Sequence, residues 1–135
     1  MVMALVYRCP SRDDVAAITA LRCSVGWPEM KREYSNSKLQ NYFSAACYDE
    51  NRLVGWLCVV SNGVTDAYVQ DLMVAPDYQR RGIGTHLMDL VLDVLRSHGI
   101  YMVSVVYGEE SLRSFYEKFG FYTMLCGQKE LYQPE

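Results

Sequence analysis

Apolar and polar residues follow two periods along this chain, and the change between them comes at Gly82. Before it, Ser44–Tyr48, Leu53–Val60 and Thr65–Val74 are alternating or unbroken apolar runs of strand character. Asp49-Glu50-Asn51 separates the first two. Asn62-Gly63, which fits the positive φ angles of a two-residue hairpin, separates the second and third, predicting an antiparallel meander. Pro76, with no N–H for a ladder, closes the third run. After Gly82, Ile83, Leu87, Leu90, Val91, Val94 and Leu95 share one helical face, while Asp89, Asp93, Arg96 and Ser97 face away, up to Gly99.

The flanks add weaker elements. Ala4–Arg8 is strand-like, and Ser11-Arg12-Asp13-Asp14 has the polar, acidic character of a helix start, with Ser11 as the cap. Val15, Ile18 and Leu21 continue that helix as far as Trp27-Pro28. A polar stretch with helical potential runs from Glu29 to Tyr42. Tyr101–Tyr107 is nearly continuous in apolar residues, which predicts a central strand. A short helix over Ser111–Lys118 ends at Gly120, and Phe121–Leu125 and Gln128–Gln133 predict a final pair of strands. The order β-α-α-β-β-β-α-β-α-β-β belongs to a mixed α/β sheet of about seven strands and four helices, one domain over residues 1–135.

Composition narrows the partners. A formal net charge of −3 on 135 residues gives no reason to expect nucleic-acid binding, though a local anion site is compatible with it. No apolar run reaches the length of a membrane span, and Met1–Leu5 does not resemble an export leader, so a cytoplasmic location is expected. Cys9, Cys23, Cys47, Cys58 and Cys126 form no CxxC pair and read as reduced, buried small hydrophobes. His86 and His98 have no partners in the sequence that suggest a metal, so no metal is expected.

The segment richest in chemistry is Gln79-Arg80-Arg81-Gly82-Ile83-Gly84-Thr85, between a strand and a long helix. A helix start leaves N–H groups unpaired and positively polarised. Glycines there allow close approach, which suits a phosphate or pyrophosphate. A tight connection with no ligand would read the same way from GxG alone. Leu87 stands where a dinucleotide fingerprint needs its third glycine, and the Gly-Lys-Ser/Thr of a P-loop is missing.

As a string, Gln79–Gly84 resembles the Q/R-x-x-G-x-G/A signature of the GNAT superfamily of N-acetyltransferases. Tyr116-Glu117-Lys118-Phe119-Gly120-Phe121 is similar to its second hallmark, Y-x-x-x-G-F. The two stand about thirty residues apart with one strand between them, as in that family, and the element order agrees over nearly the whole chain. The resemblance implies a mixed, mostly antiparallel twisted sheet splayed between its fourth and fifth strands, opening a gap between Val69–Val74 and Met102–Val106. It implies acetyl-coenzyme A as co-substrate, an amine as acceptor and direct attack of the amine on the thioester. It also implies that Gln79, Arg80, Arg81, Gly82, Ile83, Gly84 and Thr85 hold the pyrophosphate, and that the backbone of Leu72, Met73 and Val74 pairs with the pantetheine arm. A backbone N–H near Met73 is the implied oxyanion donor. By analogy, a homodimer is open.

Tyr116 matches the tyrosine that serves as acid toward the leaving thiolate in that family, and it would also touch the cofactor. Asp71, the only carboxylate in the core of its strand, is either a base or a structural group at a bulge; ordered water could replace a base. In a regular strand, Tyr68 and Gln70 face away from Asp71, and with Trp27 they are the candidates for the acceptor site. Tyr34, Tyr42 and Tyr48 are further aromatic candidates. Glu109 and Leu112 stand where many members have Asn and Ala, which removes the Asn contact to the pantetheine. With Val25-Gly26-Trp27-Pro28, Glu109 gives a faint resemblance to plastid enzymes that acetylate lysines and arylalkylamines. A coenzyme A-binding module with little catalysis shares the same loop, and a longer acyl donor is compatible with it.

Overall fold

The computed structural model describes residues 4–133, so the reading of Met1–Leu5 falls mostly outside it. Five strands, β1 (Leu5–Arg8), β2 (Phe43–Asp49), β3 (Arg52–Ser61), β4 (Asp66–Val74) and β5 (Met102–Val105), form one sheet in that spatial order. β1 to β4 pair antiparallel, and β5 joins β4 in parallel. The sheet is thus mixed and mostly antiparallel. The parallel step requires a crossover, and the amphipathic α3 (Ile83–Ser97) supplies it.

β3 lies at the centre and is buried from Leu53 to Val59, because helices cover both faces of the sheet. α3 packs its Ile83, Leu87, Met88, Val91 and Leu95 side on one face. There Gly55 gives it close approach: a Cβ at that position would stand 2.8 Å from Ile83 Cγ2. α1 (Val15–Ser24) covers the other face with Ile18 and Leu21. α2 (Lys31–Tyr34) and α4 (Arg113–Glu117) are short. No helix of the described residues is long and apolar enough to cross a membrane.

Several expectations shift. The cap of α1 is Asp14, whose Oδ1 accepts from the Ala17 N–H at 3.1 Å, rather than Ser11. The neighbouring Asp13 is drawn to the sheet instead, accepting from Ser44 and from the Trp56 indole. Only one helical turn, Lys31–Tyr34, forms between Glu29 and Tyr42, since that stretch has no apolar stripe to stabilise a longer helix. Asn62-Gly63 makes a wider connection than a two-residue turn. β3 ends at Ser61 and β4 starts at Asp66, and the Asn62 side chain accepts from the Val64 and Thr65 N–H groups.

The larger corrections concern the end of the chain. Phe121–Leu125 and Gln128–Gln133 form no strands, so the described residues hold five strands rather than seven. β5 is shorter than Tyr101–Tyr107 and lies at the sheet's edge, not its centre. Alternation by itself does not hold a strand; neighbouring strands do, and the 121–133 segment has none. Its Met124, Leu125 and Leu131 are exposed. Of the five free cysteines, only Cys47 and Cys58 are buried; Cys9, Cys23 and Cys126 are exposed, against expectation.

Candidate active site

β4 and β5 pair from Asp66↔Met102 to Val69↔Val105 and then part, while β4 continues to Val74. The gap expected between Val69–Val74 and Met102–Val106 therefore opens only past Val69 and Val105. The parting coincides with a bulge in β4. Gln70 stands opposite Cys58 and Met73 opposite Trp56, so Asp71 and Leu72 together face Leu57. Asp71 takes the left-handed conformation, φ 59°.

The extra residue reverses the side-chain alternation of β4. Val69 and Val74, five positions apart, both lie on the α3 face. Gln70 and Met73 lie on the α1 face. The Asp71 carboxylate turns to the α1 face as well, where Arg22 Nη1 donates to its Oδ2 at 3.1 Å and the Tyr34 hydroxyl donates to the same oxygen. Regular alternation would have separated Asp71 from Gln70 and Tyr68, and the bulge places them on one side. Burial, together with the Asp71 bond, pushes the Tyr34 phenol well above its ordinary range, so its proton stays on the oxygen.

On the α3 face, a pocket of about 600 Å³ lies between the end of β4, the 78–85 segment and α4. Leu72, Val74, Gln79, Arg80, Gly82, Ile83, Gly84, Thr85 and Tyr116, all expected at the cofactor, line it. Arg81 and Met73 do not. The Arg81 guanidinium lies over the Tyr78 ring, and the Met73 side chain is buried in the core. Gly82, φ 82°, sits at the N-cap of α3, and the first helical bond runs from the His86 N–H to the Gly82 carbonyl. The N–H groups of Ile83, Gly84 and Thr85 therefore have no partner within the helix, and no side chain caps it. A Cβ on Gly82 would meet nothing within 4 Å, so the approach to these amides is open. Gln79 Nε2 donates to the Val74 carbonyl at 3.0 Å and pins the loop to the end of β4.

Lys118, which sequence reasoning passed over, lines the same pocket; its Nζ donates to Thr85 Oγ1 at 2.7 Å and lies over the Phe115 ring. Its spacing from Thr85 gives no sequence signal. Arg80, Lys118 and the helix start together make a positive rim around bare amides, the donor set that a diphosphate requires.

Tyr116 is buried on α4, with its ring parallel to Tyr107 and edge-on to Phe115 and Phe121. Burial pushes its phenol above the ordinary value, and nearby Tyr107 and Tyr68 add to the effect. It is therefore protonated at neutral pH, and no side-chain hydrogen bond holds its hydroxyl among the described residues. Tyr68 titrates high for a similar reason, burial first and Asp71 second. Trp27 lies after α1 with the Arg22 guanidinium 5.4 Å from its ring centroid. Of the other aromatic candidates, Tyr34 joins Asp71, whereas Tyr42 bonds His98 and Tyr48 lies under Arg8; both are taken up elsewhere. His86 is exposed and stacks on Tyr7. Glu109 accepts from Ser111 and borders a second hollow, about 750 Å³, between β5 and Phe119–Cys126. Tyr107 also borders that hollow, so the Tyr107–Tyr116 stack stands between the two.

The profile of the acetyltransferase (GNAT) family matches residues 13–121. The chain belongs to this family. Among similar proteins, an uncharacterised N-acetyltransferase, ycf52, of Gracilaria tenuistipitata var. liui is 27% identical, over 81% of this chain and 62% of its own length. Chloroplastic serotonin N-acetyltransferase 2 of Oryza sativa subsp. japonica is 27% identical, over 80% of this chain and 56% of its own. The chain thus spans a little over half the length of these curated relatives. A GNAT-family acetyltransferase structure from Streptococcus pneumoniae superposes with a TM-score of 0.77 at 26% identity, covering 94% of this chain and 100% of the other. The fold expected from the two sequence hallmarks is the one observed, with fewer strands.

Proposed function

We propose that this chain binds acetyl-coenzyme A in the pocket on the α3 face and transfers its acetyl group to a primary amine. The observation that carries this reading is the convergence of the uncapped start of α3, the end of β4 and Tyr116 on one pocket.

In this scheme the N–H groups of Ile83, Gly84 and Thr85, with those of Arg80, Arg81 and Gly82, hold the diphosphate, and Lys118 adds charge beside it. Leu72, Met73 and Val74 offer main-chain groups to the pantetheine amides where β4 has left β5, and a Met73-side N–H faces the developing oxyanion. The neutral amine nitrogen attacks the thioester carbonyl, and collapse of the adduct breaks the C–S bond. Tyr116 passes its proton to the departing sulfur, and the proton shed by the amine returns to the Tyr116 oxygen through water. An acceptor entering beside Tyr68, Gln70 and Trp27 would reach the parting of the strands from the α1 face. The serotonin enzyme among the relatives acts, by its name, on serotonin, an arylalkylamine. The aromatic residues on this side support the same class here, with exposed lysines or N-terminal amines as the alternative acceptors.

Calorimetry with acetyl-coenzyme A and coenzyme A, followed by thiol release over a panel of arylalkylamines, lysine peptides and N-terminal peptides, tests the proposal. Binding with amine-dependent thiol release is expected. No heat of binding removes the donor site, and binding without amine-dependent release across the panel leaves a binding module in place of an enzyme.

A further inference from the structure

The reaction above leaves Asp71 unassigned, yet its backbone and its carboxylate are both tightly held. It is a non-glycine residue in the left-handed region, at the point where β4 carries one residue more than β3. Such a conformation persists only where the surroundings impose it.

What imposes it is visible. Arg22, at the end of α1, has a side chain only 7% exposed, and every nitrogen of its guanidinium has a partner: Nε donates to the Pro28 carbonyl at 2.7 Å, Nη1 to Asp71 and Tyr34, and Nη2 to Met30 Sδ. The Trp27 and Tyr34 rings flank the guanidinium. Tyr34 leans edge-on against Trp56 and donates to the oxygen that Arg22 holds. Two successive segments, α1 and the 27–34 connection, thus meet the distant β4 on Asp71 Oδ2. Cys58 and Tyr68 are the other titratable groups close by, and neither bonds Asp71. A carboxylate already paired with a guanidinium and a phenol is poorly placed to take a proton from an amine.

We propose that Arg22 and Tyr34 are positioning residues acting through Asp71: they hold the β4 bulge in the register that turns Leu72 and Val74 toward the donor pocket. Without the extra residue, alternation would carry Val74 to the α1 face and Met73 to the α3 face, and the pocket wall beside Gly84 would be lost. The assignment rests on the donor-site reading above.

The test compares Asp71→Asn, Asp71→Gly and Asp71→Ala, with Tyr34→Phe as the mildest change, by calorimetry with coenzyme A and by kcat against pH. Asn tolerates the left-handed region and still accepts hydrogen bonds, so its affinity should stay within about threefold of the parent. Gly adopts that φ freely but bonds nothing, and should weaken binding about three- to tenfold, whereas Ala loses both and should weaken it more than about tenfold. Tyr34→Phe should weaken binding about two- to fivefold and leave the shape of the pH profile unmoved. Equal coenzyme A affinities in all four variants and the parent would overturn the proposal. So would a kcat collapse in Asp71→Asn with loss of the acidic limb, which would make Asp71 the base. A parent protein that does not bind coenzyme A defeats the donor-site reading itself, whereas a parent that binds, with the ranking absent, defeats only the clamp.

Discussion

The rings of Tyr116 and Tyr107 lie face to face, their centroids 4.7 Å apart and their planes within 16°. The stack fixes where the Tyr116 hydroxyl points without a hydrogen bond to hold it, and burial keeps the phenol protonated. Replacing Tyr116 with Phe keeps the ring for the stack and removes only the hydroxyl and its proton. We expect kcat to fall about ten- to a hundredfold while the apparent affinity for acetyl-coenzyme A shifts less than about threefold. Steady-state kinetics at saturating amine decides this, and an unchanged kcat takes Tyr116 out of the chemistry.

Gly82 combines a positive φ with open space above it. Gly82→Val forces a branched side chain into the left-handed region and sets it over the bare amides of α3. Donor affinity should fall by at least about tenfold, with a loss of about 1–2 kcal/mol in stability. Calorimetry and thermal melting read the two effects separately, and full donor affinity in the folded variant would place the diphosphate elsewhere.

Gly55 matters for a different reason, since its φ is ordinary and the space is not. A methyl there would stand 2.8 Å from Ile83 Cγ2 and 3.0 Å from Leu87 Cδ1, both on side chains buried too deeply to yield. Gly55→Ala should destabilise the protein by about 1–3 kcal/mol, visible as a lower Tm. Because Ile83 opens α3, donor affinity should fall too. A Tm equal to the parent's would mean that α3 can lift from the sheet without penalty.

Alkali should destabilise the protein. Burial pushes the Tyr7 phenol up to about 12, and it raises Tyr34, Tyr116 and the Cys58 thiol as well. Each group holds its proton more tightly folded than unfolded. The stability this contributes is whole below the unfolded values, about 9–10, and drains away as pH rises through the folded ones. Melting temperature should be level from about pH 7 to 9 and fall steadily above that. A level Tm up to about pH 11 would contradict the buried, protonated state of these rings.

The sequence was most informative where a short stretch determines its own structure. The strand–loop–helix unit around Gln79–Thr85 was legible because loop glycines and the 3.6-residue pattern from Ile83 are local signals, and the structure has the helix beginning at Ile83 as expected. The same holds for the antiparallel run of β2, β3 and β4, where turn residues separate apolar runs. Reasoning failed where an element depends on a partner. The apolar pattern of 121–133 gave strands that have no neighbour to pair with, and Tyr101–Tyr107 gave a central strand that is shorter and lies at the edge.

By itself, then, the order of residues determined the β2–β4 meander, the long helix α3 and the uncapped amides at its start, because backbone sterics and apolar periodicity act over a few neighbouring positions. Tertiary structure decided the side of the sheet on which Asp71 lies. One extra residue in β4 reverses the alternation, and a guanidinium 49 positions earlier in the chain holds it. Neither the bulge nor Arg22 leaves a local trace, since both depend on packing α1, the 27–34 connection and β4 around one carboxylate oxygen.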